Sequence, residues 1–248
     1  MLSQLTEFLP ASIIVFMAKA MRKTKLNEKE QEVQRKFIES LRFSGKKDAP
    51  GKIVGIVGLI GSGKSTIAQT LAKEFQGIVV EGDAVRVRLR EASTGYDRAW
   101  KICENVAIAV ARSGAYVVID ADYIAAEKRA SLNQAAKSAG IDVVYLRTIC
   151  DVDVMIGRMV AARYPEDSFF GGASTLWQGT ADQRGAVVKI RELLMRLASH
   201  YKMKKTKYPA RYQWTPRKFS FVDFTVDTTD EKKWPGEVKR IASQIRLR

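Results

Sequence analysis

"KIVGIVGLIGSGKSTIAQTL", residues 52–71, is the stretch whose reading decides the fold. A β-branched apolar run leads into a glycine cluster, and the cluster leads into a helical pattern. Glycine weakens both strands and helices, so Gly58, Gly61 and Gly63 within six residues mark a turn that side chains would obstruct. Residues 58–65 satisfy GxxxxGK[ST] in full. The flanks agree: a strand is expected over 53–57, and a helix over 65–75 with Ile67, Leu71 and Phe75 on one face. Such a loop turns successive backbone N–H groups inward at phosphate oxygens, and the helix N-terminus adds its partial positive charge. In this motif Lys64 reaches the β- and γ-phosphates and the Ser65 hydroxyl holds Mg²⁺. Gly58, Gly61, Ser62, Gly63, Lys64, Ser65 and Thr66 are therefore the expected NTP-binding set.

Working outward, short β-branched runs recur at 53–57, 78–80, 116–119, 143–146 and 221–226. Helical patterns fall between them at about 65–75, 84–92, 97–113, 124–138, 151–163 and 182–201, with a last one at 235–246. Strands alternating with helices imply an α/β fold, a doubly wound and mostly parallel five-stranded sheet. Upstream, "NEKEQEVQRKFIESLRF" from Asn27 opens with a capping-box pattern, Asn27 and Glu30, and continues with Val33, Phe37, Ile38 and Leu41 on one face. The polar "SGKKDAPGK" that follows reads as a linker. The expected organisation is an N-terminal helical extension and linker over 1–50 and a nucleotide-binding domain over 51–248.

A phosphate loop alone does not assign chemistry. The chain lacks the NKxD motif of a GTPase and the LSGGQ motif of an ABC ATPase. It has instead "VVEGDAVRVRLRE", in which Asp83 follows Lys64 by 19 residues at the C-terminal end of a strand. That edge of a doubly wound sheet faces the ligand crevice. An Asp there is placed to take a proton from an attacking hydroxyl. Arg86, one helical turn on, is placed to hold the acceptor or screen transferred charge. The alternative for Asp83 is a helix cap and for Arg86 a solvated surface residue.

With these residues in view, the chain resembles the P-loop kinases that include adenylylsulfate kinase, zeta-toxin-type kinases and the kinase domain of polynucleotide 5'-kinase. Residues 58–65, the DxxR at Asp83–Arg86 and "GAYVVIDADYIAAEKR" at 114–129 carry the resemblance, which extends over about 52–230. "EGDAVR" is close to the "DGDNVR" of adenylylsulfate kinases, with Glu81 in place of the first Asp. The resemblance implies ATP-dependent transfer of the γ-phosphate to a hydroxyl, with a small molecule or nucleotide as acceptor. It implies Asp120 near Mg²⁺ and a lid around 158–182 whose arginines, Arg158 and Arg163, close over ATP. Arg163, nearer the loop, is the expected catalytic member. Asp122 departs from the commonest family pattern, and a helix cap is its alternative role.

Two features point to other partners. Residues 202–219, "KMKKTKYPARYQWTPRKF", hold seven Lys or Arg and no acid, with Tyr208, Tyr212 and Trp214 interleaved. Basic residues with interleaved aromatics suit single-stranded nucleic acid, so a polynucleotide 5'-hydroxyl kinase is the first rival reading. In the family that loop flanks adenine. The overall charge of +15 attracts polyanions without choosing among them. A nucleotide-binding protein that transfers nothing and docks on nucleic acid or membrane is the rival of another class.

The N-terminal "FLPASIIVFMA", residues 8–18, carries no charge but is shorter than the roughly 20 residues a spanning helix needs. A packed helix, an interfacial anchor over 8–25 aided by Lys19, Arg22, Lys23 and Lys25, and a start downstream at Met17 or Met21 are the open readings. Cys103 and Cys150 fit core thiols of a cytoplasmic protein, and a single histidine, His200, argues against His-paired catalysis or a His-rich metal site.

Overall fold

The computed structural model describes residues 25–43, 51–173, 175, 177–205 and 212–248. The apolar stretch 8–18 and most of the linker lie outside the described residues. Five strands form the main sheet: β1 (Lys52–Val57), β2 (Ile78–Glu81), β3 (Val117–Asp120), β4 (Asp142–Ile149) and, late in the chain, β7 (Phe224–Asp227). Their order is β2-β3-β1-β4-β7 and every pairing is parallel. β1 lies at the centre, with Ile53 opposite Val117 on one side and Val143 on the other. Its residues Ile53, Val54, Ile56 and Val57 are all fully buried, as a run covered on both faces requires.

Helices cover the two faces. α2 (Lys64–Phe75) and α8 (Trp234–Leu247) pack Ile67, Leu71, Val238 and Ile241 onto one. The other face takes α3 (Gly82–Glu91), α4 (Ala99–Arg112) and α5 (Ala126–Ser138) through Val85, Ile102, Val106 and Leu132. α1 (Glu28–Ser40) starts with the expected capping box: Asn27 Oδ1 accepts from Glu30 N–H at 2.9 Å and Glu30 returns the bond to Asn27 N–H at 2.8 Å. Such a cap is worth about 1 kcal/mol. α1 inserts Val33 and Phe37 into the same core as α3 and α4, and buried Glu30 pairs with Arg98 at 3.1 Å.

A smaller cluster beyond the sheet joins Leu59 to α6 (Val152–Ala161) and α7 (Ala181–His200) through Met155, Met159, Leu193 and Leu197. The basic segment 202–219 differs from the loop expected of it. Its described part contains an antiparallel pair, β5 (Tyr201–Lys205) and β6 (Tyr212–Pro216), with Met203 opposite Trp214. Burial alternates only in β6, where half-buried Trp214 lies between exposed Gln213 and Thr215 and packs on the α6–α7 cluster; in β5 Tyr201 is buried but Met203 is exposed. Part of the Trp214 side chain is therefore taken up by that cluster, while Tyr208 and the Tyr212 side chain lie outside the described residues. Among the described residues no helix is long and apolar enough to cross a membrane.

Candidate active site

The C-terminal ends of β1, β2 and β3 open on one side of the sheet, where the order reverses about β1. Ligands of open parallel sheets bind at that position. A cavity of about 800 Å³ lies there, lined by Gly61, Gly63, Lys64, Ser65 and Thr66, by Asp83 and Arg86, and by Asp120. The expected phosphate loop, base and metal ligand are therefore brought to one space.

The loop has the form its glycines require. Gly61 and Gly63 have φ of 81° and 82°, in the left-handed region that side chains disfavour. A Cβ on Gly61 would also stand 2.7 Å from Met159 Cε. Gly63 serves as the N-cap of α2 with no side chain capping it, which leaves first-turn amides for a ligand. Half-buried Lys64 folds back over its own loop and donates to Leu59 O at 3.1 Å. Burial pushes its ammonium below the ordinary lysine value, and Asp122, Asp120 and Asp83 oppose that. A loop built this way fits a polyphosphate.

Ser62 has a different role from the one expected. Its side chain is fully buried, with Oγ 2.7 Å from Thr148 Oγ1, and it braces the loop against β4 from behind. Arg158 also braces. It donates to Thr228 O at 2.6 Å and to Thr228 Oγ1 at 3.2 Å, and Thr228 Oγ1 donates to Ser62 O at 3.0 Å. Arg163 points to solvent, 90% exposed and paired with Asp182 at 2.7 Å, away from the cavity. The α6 helix that carries Arg158 ends at Ala161, so Arg163 leaves on extended backbone and has no helical face to aim it inward.

Asp83 is exposed in the first turn of α3, where Arg86 pairs with it at 2.6 Å. Arg86 also lies over the Phe169 ring at 5.5 Å. Glu81 sits behind them. Burial raises its carboxyl, Asp120 and Asp83 raise it further, and a hydrogen bond from Gln69 Nε2 at 2.7 Å partly offsets this. Among the described residues no cluster of three His, Cys, Asp or Glu forms a metal cage. A hydroxyl, one carboxylate, phosphate oxygens and water remain as an oxygen set for Mg²⁺, which that ion favours.

Three charged side chains of the site come from α7: Lys189, Glu192 and Arg196 all line the cavity. Lys189 Nζ lies 4.7 Å from the Tyr164 ring centre and 4.8 Å from that of Phe170. Burial lowers its proton affinity, and Asp83 opposes this. Arg196 pairs with Asp122, whose side chain is 5% exposed. Asp122 also accepts from Gly58 N–H at 3.2 Å and lies 3.0 Å from His200 Nε2. Burial alone would raise its carboxyl, but the His200 hydrogen bond and the charges of His200, Arg196 and Lys64 leave it below the ordinary carboxylate value. The sole histidine thus sits on an aspartate after all, and the pair ties the phosphate loop to α7. The roof of the cavity is the segment around 167–173, held by Arg90 donating to Asp167 O at 2.9 Å and Ser168 O at 3.2 Å. Phe169 and Phe170 are its lining.

The profile of the AAA domain family matches residues 53–177. No curated protein matches the chain. Among solved structures, the APS kinase CysC of Mycobacterium tuberculosis in complex with AMPPNP and APS is similar at 20% identity and a TM-score of 0.51, covering 79% of this chain and 98% of that one. A kinase-like protein of Chloroflexus aurantiacus is similar at 16% identity and a TM-score of 0.52, covering 80% and 98%. At such identities the likeness is one of fold. The glycine loop at the switch point of a parallel sheet and the family match agree: the chain belongs to the AAA domain family and has the fold of the small P-loop kinases.

Proposed function

We propose that the protein is an ATP-dependent phosphotransferase that moves the γ-phosphate of ATP to a hydroxyl of a small molecule. The observation that carries this reading is the shared cavity. The phosphate loop with Lys64 and Ser65, the carboxylates of Asp83 and Asp120, and the cations Arg86, Lys189 and Arg196 all face it. The fold shared with an APS kinase that holds AMPPNP supports ATP as donor.

Ser65 and Asp120 would hold Mg²⁺, which supplies charge neutralisation on the phosphates. The loop amides and Lys64 bind the phosphate chain and fix its direction. Asp83 takes the proton from the acceptor hydroxyl, and Arg86 keeps that carboxylate in place and meets the acceptor. Lys189 takes the cationic role that sequence reasoning assigned to Arg163, holding charge on the transferred group. Arg90 fixes the roof, which excludes water and favours transfer over hydrolysis.

A small acceptor is favoured over a polynucleotide end because half-buried Trp214 has part of its surface taken up by the α6–α7 cluster. A second, smaller chamber of about 380 Å³ opens from the main cavity past Arg86 and Asp122, within the size range of small-molecule sites. The test is nucleotide binding and transfer. The wild-type chain should bind Mg·ATP and phosphorylate a member of a hydroxyl-compound panel, and Lys64→Ala should lose transfer while keeping its thermal unfolding temperature. Near-normal transfer by Lys64→Ala would sink the assignment.

A further inference from the structure

Resting on the phosphotransferase reading, we propose that the acceptor is a small hydroxylated anion whose phosphate, sulfate or carboxylate group lies in the 380 Å³ chamber against the Lys128 ammonium and the Arg196 guanidinium. The chamber and the nucleotide cavity share Arg86, Asp122, Glu192 and Arg196, so a molecule in it reaches the space beside the transferred phosphate. Three cations line the chamber, Arg86, Lys128 and Arg196, against two carboxylates, Asp122 and Glu192.

The pairing among them is uneven. Arg86 is matched by Asp83. Asp122 is already shared among Arg196, His200, Gly58 N–H and Ile124 N–H. Half-buried Lys128, in the first turn of α5, has no hydrogen-bond or ion-pair partner among the described residues. Burial lowers its proton affinity, and Arg196 and Arg86 lower it further while Asp122 opposes them. An unpaired cation kept among cations in a half-buried site carries a standing cost that a bound anion removes. Trp100, Ala99, Cys103 and Ile124 supply an apolar wall for a carbon skeleton. Glu192, likewise without a partner among the described residues, offers an acceptor to hydroxyls of the same molecule.

The experiment uses the full chain saturated with Mg·AMPPNP, so that the phosphate loop is occupied. Sodium phosphate, sulfate and acetate are then titrated in turn by calorimetry. The wild type should bind one of these anions at a single site, and whether a tetrahedral anion or acetate binds tightest identifies the group. Lys128→Met should weaken that binding at least about tenfold, the loss of one charge-assisted contact. AMPPNP affinity should change less than about twofold, because Lys128 lies outside the nucleotide cavity. Lys128→Arg should restore the anion, and Glu192→Gln should not weaken it. If AMPPNP binds but none of the anions does, or if Lys128→Met binds them as the wild type does, this inference is wrong and the phosphotransferase reading stands. If AMPPNP itself fails to bind, the phosphotransferase reading falls and this one with it.

Discussion

Replacing Asp122 by Asn changes one atom of a buried group whose contacts are all known. The Asn carbonyl oxygen can still accept from Gly58 N–H and Ile124 N–H, both at 3.2 Å in the wild type. The amide nitrogen replaces the oxygen that faces Arg196 and His200. His200 can turn an acceptor nitrogen toward it, but a guanidinium only donates. Arg196 is then left opposite a donor. Breaking a fully buried pair costs about 3–5 kcal/mol and an exposed one at most about 1 kcal/mol. The Asp122 end is 5% exposed and the Arg196 end 36%, so a loss of about 2–3 kcal/mol is expected. At about 2–4 °C per kcal/mol for a chain of this size, the unfolding temperature should fall by about 4–12 °C. Differential scanning calorimetry reads this directly. Because the loop tether survives in Asn, ATP affinity should drop less than about threefold, whereas Asp122→Ala, which also frees Gly58 N–H, should bind ATP more weakly than Asn does. An Asn variant that unfolds within about 2 °C of the wild type would refute the view of Asp122 as a stabilising tie.

Asp83→Asn should lower kcat about 10²- to 10⁴-fold with ATP affinity little changed, measured by steady-state transfer; an unaltered kcat would reduce Asp83 to a helix-start residue. Gly185→Ala should destabilise by about 1–3 kcal/mol, read by denaturant titration, because its Cβ would stand 2.4 Å from Tyr164 Cγ beneath the roof segment. The Asp182 carboxyl is held below its ordinary value by Tyr164 N–H and then by Arg163. A depressed carboxylate stabilises above its unfolded pKa of about 3.9 and loses that contribution as pH falls through the folded value. The stability gap between wild type and Asp182→Asn should therefore be present at neutral pH and close on acidification, and a gap that widens instead would contradict the sign.

The placement of the phosphate loop and of Asp83 at one cavity was legible because each rests on local sequence. A glycine loop between a strand and a helix needs only adjacent residues, and a strand end in a parallel sheet has one direction to face. The contribution of α7 was not legible. Lys189, Glu192 and Arg196 lie more than a hundred residues from Lys64 in the chain, and helical periodicity says which residues share a face without saying what that face covers. His200 and Asp122 were each seen, one as a lone histidine and one as a departure from the family pattern. Only the packing of α7 beside the phosphate loop, beyond the sheet, brings them to 3.0 Å. Arg163 shows the opposite error: nearness to the lid loop in sequence suggested the cavity, yet the helix stops at Ala161 and the side chain leaves toward solvent.

The place of β7 and α8 bears on how the protein is made. β7 supplies the edge strand next to β4, and α8 covers Ile67, Leu71 and Phe75 on one face of the sheet. Both leave the ribosome after the other strands and helices of the sheet. Until they arrive, a nascent chain that already contains the whole phosphate loop presents an open sheet edge and a bare apolar face. Such surfaces recruit other chains at the concentrations of a cell. A stalled or shortened product ending before Trp234 would therefore be a client for chaperones or proteases, although every residue assigned here to nucleotide binding and transfer is already present in it.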